Sequence, residues 1–453
     1  MPALRPRSVG ESALARLWAR RRERPLLVAA VGALLVATLA YPFLDWHLRG
    51  LYRAGVPGYD WVSPFTFYFG DFGVFTSAVT RYYYGQSIYW TNDGSYFATY
   101  LYPPVYLLLF LPFWELTTMP GLADLPLVAS SHEAGGVAFG LTGVLVLWVG
   151  LQAMARTLGC RLAWPDRLVL GWALLGFQPL LYAFKLGQVS AFVAGTFCLA
   201  YVAKARGARP GARRATRVAS GALTTLAAGI KPYYATAGAH LLRDRDRLLG
   251  AFGALAALVA LSVALFGVEA HWGYLDVLTW GKGWGEPPRA LYLWHPGRFE
   301  PLYLVAVRWP DVAVGIQAAV VGAVVAATLA ARNADAGRAT FALGLATYPL
   351  VGPEVYTQDL VALLPAAALL VAVELERDGV PWLPVVAVLL VHAHAHLLRV
   401  LLESAPETVA LGVETAAVFQ PGLWGVAALF ALAFGRVVGA AGDLSRAGSR
   451  SPP

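Results

Sequence analysis

Charge is scarce in this chain. Asp, Glu, Lys and Arg make up 14% of its 453 residues, against about 25% in an ordinary soluble domain. With 58% hydrophobic residues and a mean hydropathy of +0.57, this shortage excludes a soluble enzyme. No soluble fold has interior enough to hide so many apolar runs, when about 20 such residues suffice to cross a bilayer. Cysteine is nearly absent. Cys160 and Cys198 are the only two, both in or beside apolar segments, which supports neither a disulfide framework nor a zinc site. Walker and Rossmann signatures are missing, and Gly135-Gly136 lacks the strand that a phosphate loop needs. Alternating segments of about ten residues, the mark of a transmembrane barrel, are also missing.

What charge there is leans basic, with a net value of +8. The Arg residues cluster from Arg5 to Arg24, Arg206 to Arg217, Arg243 to Arg247 and Arg436 to Arg450. Short basic clusters beside apolar segments are the product of the positive-inside rule rather than of nucleic-acid binding. Arg20 to Arg24 followed by Leu26 to Leu44 resembles a signal peptide. The apolar run is too long for that and lacks a small-x-small cleavage site, so it reads as an uncleaved first span.

Apolar segments fall at 26–44, 101–118, 134–155, 167–184, 187–204, 216–229, 231–242, 248–267, 311–331, 338–351, 357–374, 381–402 and 410–436. They predict an all-α, polytopic transmembrane helix bundle of about 10–13 membrane helices. Residues 1–25 form a basic cytoplasmic N-terminus, 26–440 a single membrane-embedded domain and 441–453 a cytoplasmic tail. The expected setting is the cell membrane, with both termini cytoplasmic. From Lys204 onward the basic loops all fall on one side if every segment crosses. The early region breaks that parity, because crossing at 101–118 sends Arg156, Arg161 and Arg167 outside. Either one early segment is re-entrant or that basic loop is an exception.

Two external stretches, 45–100 and 268–310, are too long and too aromatic to be plain connectors. The first reads as short amphipathic helices on the membrane surface. It holds Asp71, which can act as a general base toward a substrate at the interface or simply cap a helix running to Tyr84. Asp60 and Asp93 are its rivals in the same stretch. Pro103-Pro104 suits a helix start. Lys231 lies between two short apolar segments broken at Gly229 and Pro232, an arrangement that presents helix ends and a cation to a phosphate; a snorkelling Lys is the plainer alternative. Gln188 can bond a sugar or a neighbouring helix, and Lys185 reads as an interfacial anchor. In the second stretch His295 and Arg298 precede the helix that re-enters the membrane and can grip a phosphate. Trp272, Trp280, Trp284 and Trp294 suit sugar faces or an interfacial belt. His392, His394 and His396 look like metal ligands, but within a helix only the first and last share a face, so packing is the reading adopted and no metal is expected.

The order of motifs carries more than any one of them. Gly70-Asp71-Phe72-Gly73-Val74-Phe75 is followed by Tyr84-Gly85-Gln86-Ser87-Ile88-Tyr89, then by Tyr102-Pro103-Pro104. Leu186-Gly187-Gln188-Val189-Ser190, Ser220-Gly221, Ala228-Gly229-Ile230-Lys231-Pro232-Tyr233 and Pro349 to Pro365 come after. Over roughly Asp71 to Ala366 this resembles the GT-C fold mannosyltransferases of glycosyltransferase family 87, with Ser190 where that family more usually has Asn. The chain has Gly352-Pro353 and Gln358-Asp359 where the family commonly shows a Ser-Pro pair and a His, so a His-dependent role is not expected there. The resemblance implies a polyprenyl-phosphate sugar donor, with mannose as the sugar, and a glycan or glycolipid acceptor. It implies no cofactor and Asp71 as the catalytic base. The substrate-binding set expected beside that base is Tyr102, Gln188, Lys231, His295 and Arg298, of which Gln188, Lys231, His295 and Arg298 are read from residue type and position as above. Two other classes fit parts of the pattern. A secondary transporter or flippase predicts internal repeats, which are not detected; a non-catalytic scaffold of a glycan-assembly complex predicts that Asp71 is dispensable.

Overall fold

The computed structural model describes residues 12–60, 62, 69–92, 99–119, 121, 130–279, 297–332, 335–352, 355–404 and 412–448. Nearly all of them are helical, as a lipid solvent demands: backbone N–H and C=O groups there must be satisfied within the segment. The one sheet among the described residues is a two-residue antiparallel pair, Arg298 opposite Tyr356 and Phe299 opposite Val355.

Among the described residues seven helices are long and apolar enough to cross a membrane: Pro25–Arg53, Ser131–Thr157, Arg245–Phe266, Pro310–Ala330, Thr357–Glu376, Trp382–Ser404 and Glu414–Asp443. An eighth span is a pair, Trp164–Gly176 and Gln178–Leu186, bent by 66° with Pro179 in the first turn of the second half. Their surroundings differ. Only 11% of the apolar window of Arg245–Phe266 is buried, so that helix faces lipid, whereas Thr357–Glu376 is 72% buried and forms the core. The remaining apolar segments form shorter elements: Ser190–Gly207, Arg214–Ala228, a run of 3-10 turns at Pro232–Arg243, and Gly337–Val351. The first membrane-crossing helix continues to Arg53, past the Leu44 end of its apolar run.

Contacts sort the helix ends into two groups at opposite ends of the bundle. At one end Ser12 and Ala13 meet Asp166, Arg16 bonds the Arg161 carbonyl, Arg24 pairs with Asp378, Arg243 reaches the Arg332 carbonyl and Arg338 pairs with Glu376. At the other end Asp45 meets Lys185, Asp71 meets Gln188, and Lys231 meets Asp359. One pass between these ends is made by each of Pro25–Arg53, Ser131–Thr157, the bent pair, Ser190–Gly207, Arg214–Ala228, Pro232–Arg243, Arg245–Phe266, Pro310–Ala330, Gly337–Val351, Thr357–Glu376, Trp382–Arg399 and Pro421–Gly448.

The parity conflict disappears in this tracing. The helix Leu107–Thr118 has 12 residues, about 18 Å against a hydrocarbon core of about 30 Å. It does not pass between the ends: Trp114 donates to Thr80 at 2.9 Å, and its Phe113 carbonyl lies against Gly135 at the start of the next helix. The chain therefore stays at the Asp71 end from Asp45 to Ser131, and Ser131–Thr157 carries Arg156, Arg161 and Arg167 to the basic end.

Candidate functional site

Asp71 is the second residue of the helix Gly70–Tyr83. It is not the cap. That position belongs to Phe69, a buried residue in the left-handed region at φ 46°, where a non-glycine side chain is strained by about 1–3 kcal/mol. Phe69 is held there from both sides. Its N–H donates to the Lys185 carbonyl at 2.7 Å, and its carbonyl accepts from Gly73 N–H at 2.8 Å. Below the helix, Phe72, Phe75, Phe110 and Phe139 form a buried aromatic floor, with Phe75 stacked on Phe110 at 4.1 Å. Asp71 is left half-buried at the first turn, where the positive end of the helix dipole favours the ionised carboxylate.

A chain of hydrogen bonds runs from this carboxylate. Gln188 Nε2 donates to Asp71 Oδ2 at 2.5 Å, and Tyr102 OH donates to Gln188 Oε1 at 2.9 Å, which fixes the amide orientation. Tyr102 is buried, and its own carbonyl accepts from Tyr89 OH at 2.6 Å. Burial, with Tyr100 and Tyr274 nearby, pushes the Tyr89 phenol far above its ordinary value, so it stays a donor. On the other face of Tyr102 stands Lys231, whose Nζ lies 5.9 Å from that ring and 5.8 Å from the Tyr233 ring.

Lys231 is not bare. It donates to Asp359 Oδ1 at 2.8 Å. Asp359 is fully buried and also accepts from Tyr233 OH at 2.8 Å, Tyr234 OH at 3.2 Å, Ser190 Oγ at 3.3 Å and the Tyr356 N–H at 3.2 Å. Its carbonyl takes Tyr348 OH at 2.6 Å. A buried charge is tolerated only with such pairing and hydrogen bonding. Lys231 remains half-buried with two further N–H donors, at the break between Arg214–Ala228 and Pro232–Arg243. Ser190 has a physical role here, since its hydroxyl completes the shell of Asp359.

The chain fold thus brings Asp71, Gln188, Tyr102 and Lys231 together. Arg298 approaches through its backbone, because its strand pairs with Val355–Tyr356 directly ahead of Asp359. His295, Asp93, Trp280, Trp284 and Trp294 lie outside the described residues. Asp60 is exposed. Lys185 is an ion-pair partner rather than an outward anchor: Asp45 accepts from it at 2.5 Å and from Arg49 at 2.7 Å. Sequence reasoning missed Asp45, Arg49, Tyr233 and Asp359 as members of this end. The signal existed for three of them, since Asp45 and Arg49 are an i,i+4 pair at the end of an apolar helix, and Asp359 is a carboxylate within an apolar run. The histidines pack, as expected. His392 and His396 both lie edge-on to Tyr41, His396 bonds the Tyr41 hydroxyl at 2.7 Å, and His394 turns the other way onto Phe299. Among the described residues no group of three His, Cys, Asp or Glu is arranged to hold a metal.

Gly187 is the tightest joint in the arrangement. It sits at φ 74°, and a Cβ there would lie 2.5 Å from Phe72 Cβ. Gly187→Ala therefore combines backbone strain with overpacking of about 1–3 kcal/mol and pushes the Asp71 helix away from Gln188. Thermal unfolding in detergent should fall by several degrees and turnover by tenfold or more; an unchanged turnover would mean that this joint does not position Asp71.

A protein-family model described as glycosyltransferase family 87 matches residues 100–353. No curated protein matches the sequence. Among solved structures, the chain is similar to the crystal structure of ArnT from Cupriavidus metallidurans bound to undecaprenyl phosphate. Identity is 15%, 93% of this chain and 78% of that one are covered, and the TM-score is 0.39.

Proposed function

Because the chain belongs to glycosyltransferase family 87, we propose that it moves mannose from a polyprenyl-phosphate donor to a glycan or lipid acceptor at the outer face of the cell membrane. The observation that carries this reading is the half-buried Asp71 carboxylate, oriented by Gln188, at the same bundle end as Lys231. Asp71 takes the proton of the acceptor hydroxyl while that oxygen attacks the anomeric carbon from the face opposite the phosphate. The bond from the anomeric carbon to the phosphate oxygen breaks, and polyprenyl phosphate leaves with the bonding pair. The sugar's anomeric configuration is inverted, and Asp71 returns its proton to water. The departing group changes from a phosphodiester to a phosphomonoester, so negative charge grows on it during the step. The free N–H donors of Lys231, with Arg298 and His295 from the second loop, meet that growing charge, which is where stabilisation accelerates the reaction.

Orientation follows from charge. With the basic end inside, Arg156, Arg161, Arg167 and the clusters at Lys204 to Arg217 and Arg243 to Arg247 obey the positive-inside rule. Both termini are then cytoplasmic, residues 26–440 form one membrane domain, and the Asp71 end faces out, where a lipid-linked rather than a nucleotide-linked donor is the available form. The test is a panel of polyprenyl-phosphate sugars offered to the purified chain, with the product's anomeric configuration read by NMR. Transfer of mannose with inversion is expected. Retention of configuration would overturn the single-displacement mechanism, and preference for another sugar would overturn the choice of mannose.

A further inference from the structure

The helix Ser190–Gly207 touches Asp359 at its start and carries Lys204 near its finish, about 21 Å away along the axis. Lys204 belongs to the opposite, basic end of the bundle and takes no part in the chemistry described above. It is only 7% exposed. Its ammonium lies over the Tyr201 ring at 5.6 Å, and among the described residues it has neither a hydrogen-bond acceptor nor a carboxylate within ion-pair distance. Its neighbours are cations. A Cβ on Gly337 would lie 2.8 Å from Lys204 Nζ and 3.7 Å from Arg243 Nη1, so both heads crowd one backbone position. Arg243 donates to the Thr340 hydroxyl at 3.1 Å and the Arg332 carbonyl at 3.4 Å. Arg247 is buried, reaches Asp244 at 3.5 Å, and has an Nε with no hydrogen bond among the described residues. Arg338 pairs with Glu376 on the exposed side, and Asp335 is the exposed carboxylate nearby.

Gly337 is also the first residue of the 15-residue helix Gly337–Val351, and no side chain caps that helix. Its first N–H groups and the positive end of its dipole point where Lys204 and Arg243 already stand. A cation belongs at the other end of a helix. The positive-inside rule accounts for exposed Arg at this face, but not for a buried, unpaired Lys against a helix N-terminus. An anion resolves the conflict: it takes the ammonium, the guanidinium and the helix N–H groups together, and the missing Cβ of Gly337 lets it approach the backbone.

We propose that Lys204, Arg243, Arg247 and the N-terminus of Gly337–Val351 form a second site, binding a phosphate group at the basic end of the bundle. The same chemistry is offered by the headgroup of an anionic phospholipid in that leaflet and by free phosphate. The experiment compares the purified full chain in phosphatidylcholine nanodiscs with and without phosphatidylglycerol, and separately with inorganic phosphate added, following thermal unfolding and lipid retention by native mass spectrometry. Wild type should unfold several degrees higher with one of these anions and hold it. Stabilisation by phosphatidylglycerol alone assigns the site to lipid; stabilisation by inorganic phosphate as well assigns it to the phosphate group itself. Lys204→Met should bind at least tenfold more weakly, and should be no less stable than wild type when neither anion is present, since it removes an unpaired buried charge. Gly337→Ala, which keeps every charge but fills the cradle and pushes the Lys204 head out of it, should weaken binding to a similar degree and serves if Lys204→Met fails to fold. The proposal is overturned if neither anion stabilises wild type, or if the folded variants bind as wild type does. No transfer activity enters these readings, so they stand apart from the reaction proposed for the Asp71 end.

Discussion

Asp71→Asn is expected to lower sugar transfer by about 10²–10⁴-fold, the range that a positioned general base contributes, while leaving the protein folded. Asn is isosteric, and its amide oxygen still accepts from Gln188 Nε2, so the bond now formed at 2.5 Å survives in weaker form. The aromatic floor of Phe72, Phe75, Phe110 and Phe139 and the strained Phe69 turn are untouched. The loss should therefore appear in kcat, with little change in affinity for the lipid donor, because Asn removes a proton acceptor used only as the reaction proceeds. Asp71→Glu tests position: the added methylene displaces the carboxylate from Gln188, and activity should recover only in part. Full turnover in the Asn variant would remove Asp71 from the mechanism and return attention to Asp60 and Asp93.

The second large effect is expected at Asp359, and it separates stability from chemistry. Asp359 is fully buried and collects donors from Lys231, Tyr233, Tyr234, Ser190 and the Tyr356 backbone. Asp359→Ala leaves Lys231 and those hydroxyls without an acceptor. Breaking one side of a buried pair costs about 3–5 kcal/mol, enough to unfold a marginal protein. Lys231→Met strands the carboxylate and should cost a similar amount. The double variant Lys231→Met with Asp359→Asn removes both charges and keeps an acceptor for Tyr233 and Tyr234. It should recover stability to within about 1–2 kcal/mol of wild type, yet remain inactive, because the ammonium proposed to meet the leaving phosphate is gone. Unfolding in detergent measures the first quantity, single-turnover transfer the second. An active double variant would confine Lys231 to a packing role.

How much of this could be read from residues alone depends on the range of the physics involved. Local signals served well. Glycine and proline at Gly229 and Pro232 predict the break that exposes Lys231, the Tyr-Pro-Pro element predicts the helix start at Pro104, and the helix from Asp71 to Tyr84 is observed at Gly70–Tyr83. Apolar runs predict helices but not whether they cross: Leu107–Thr118 is as apolar as any span, and its contacts with Thr80 and with Gly135 keep it at one end. The misplaced Arg156, Arg161 and Arg167 were the clue to that, since a charge rule tests topology where hydropathy cannot. Long-range pairing stayed hidden. Lys231 and Asp359 are 128 positions apart, and Lys185 and Asp45 are 140 apart; nothing in the local sequence joins them. Each of these four is an ionisable residue in or beside an apolar segment, which says that a partner must exist without saying which residue it is.

The most direct test of the central claim is transfer by the purified chain, reconstituted in liposomes with radiolabelled polyprenyl-phosphate mannose as the only sugar source and a membrane extract as acceptor. The expected result is a labelled product with wild type, release of polyprenyl phosphate in equal amount, and neither with Asp71→Asn. Movement of the intact lipid-linked sugar across the liposome membrane, with no product from any polyprenyl-phosphate sugar, would contradict the account and identify a transporter.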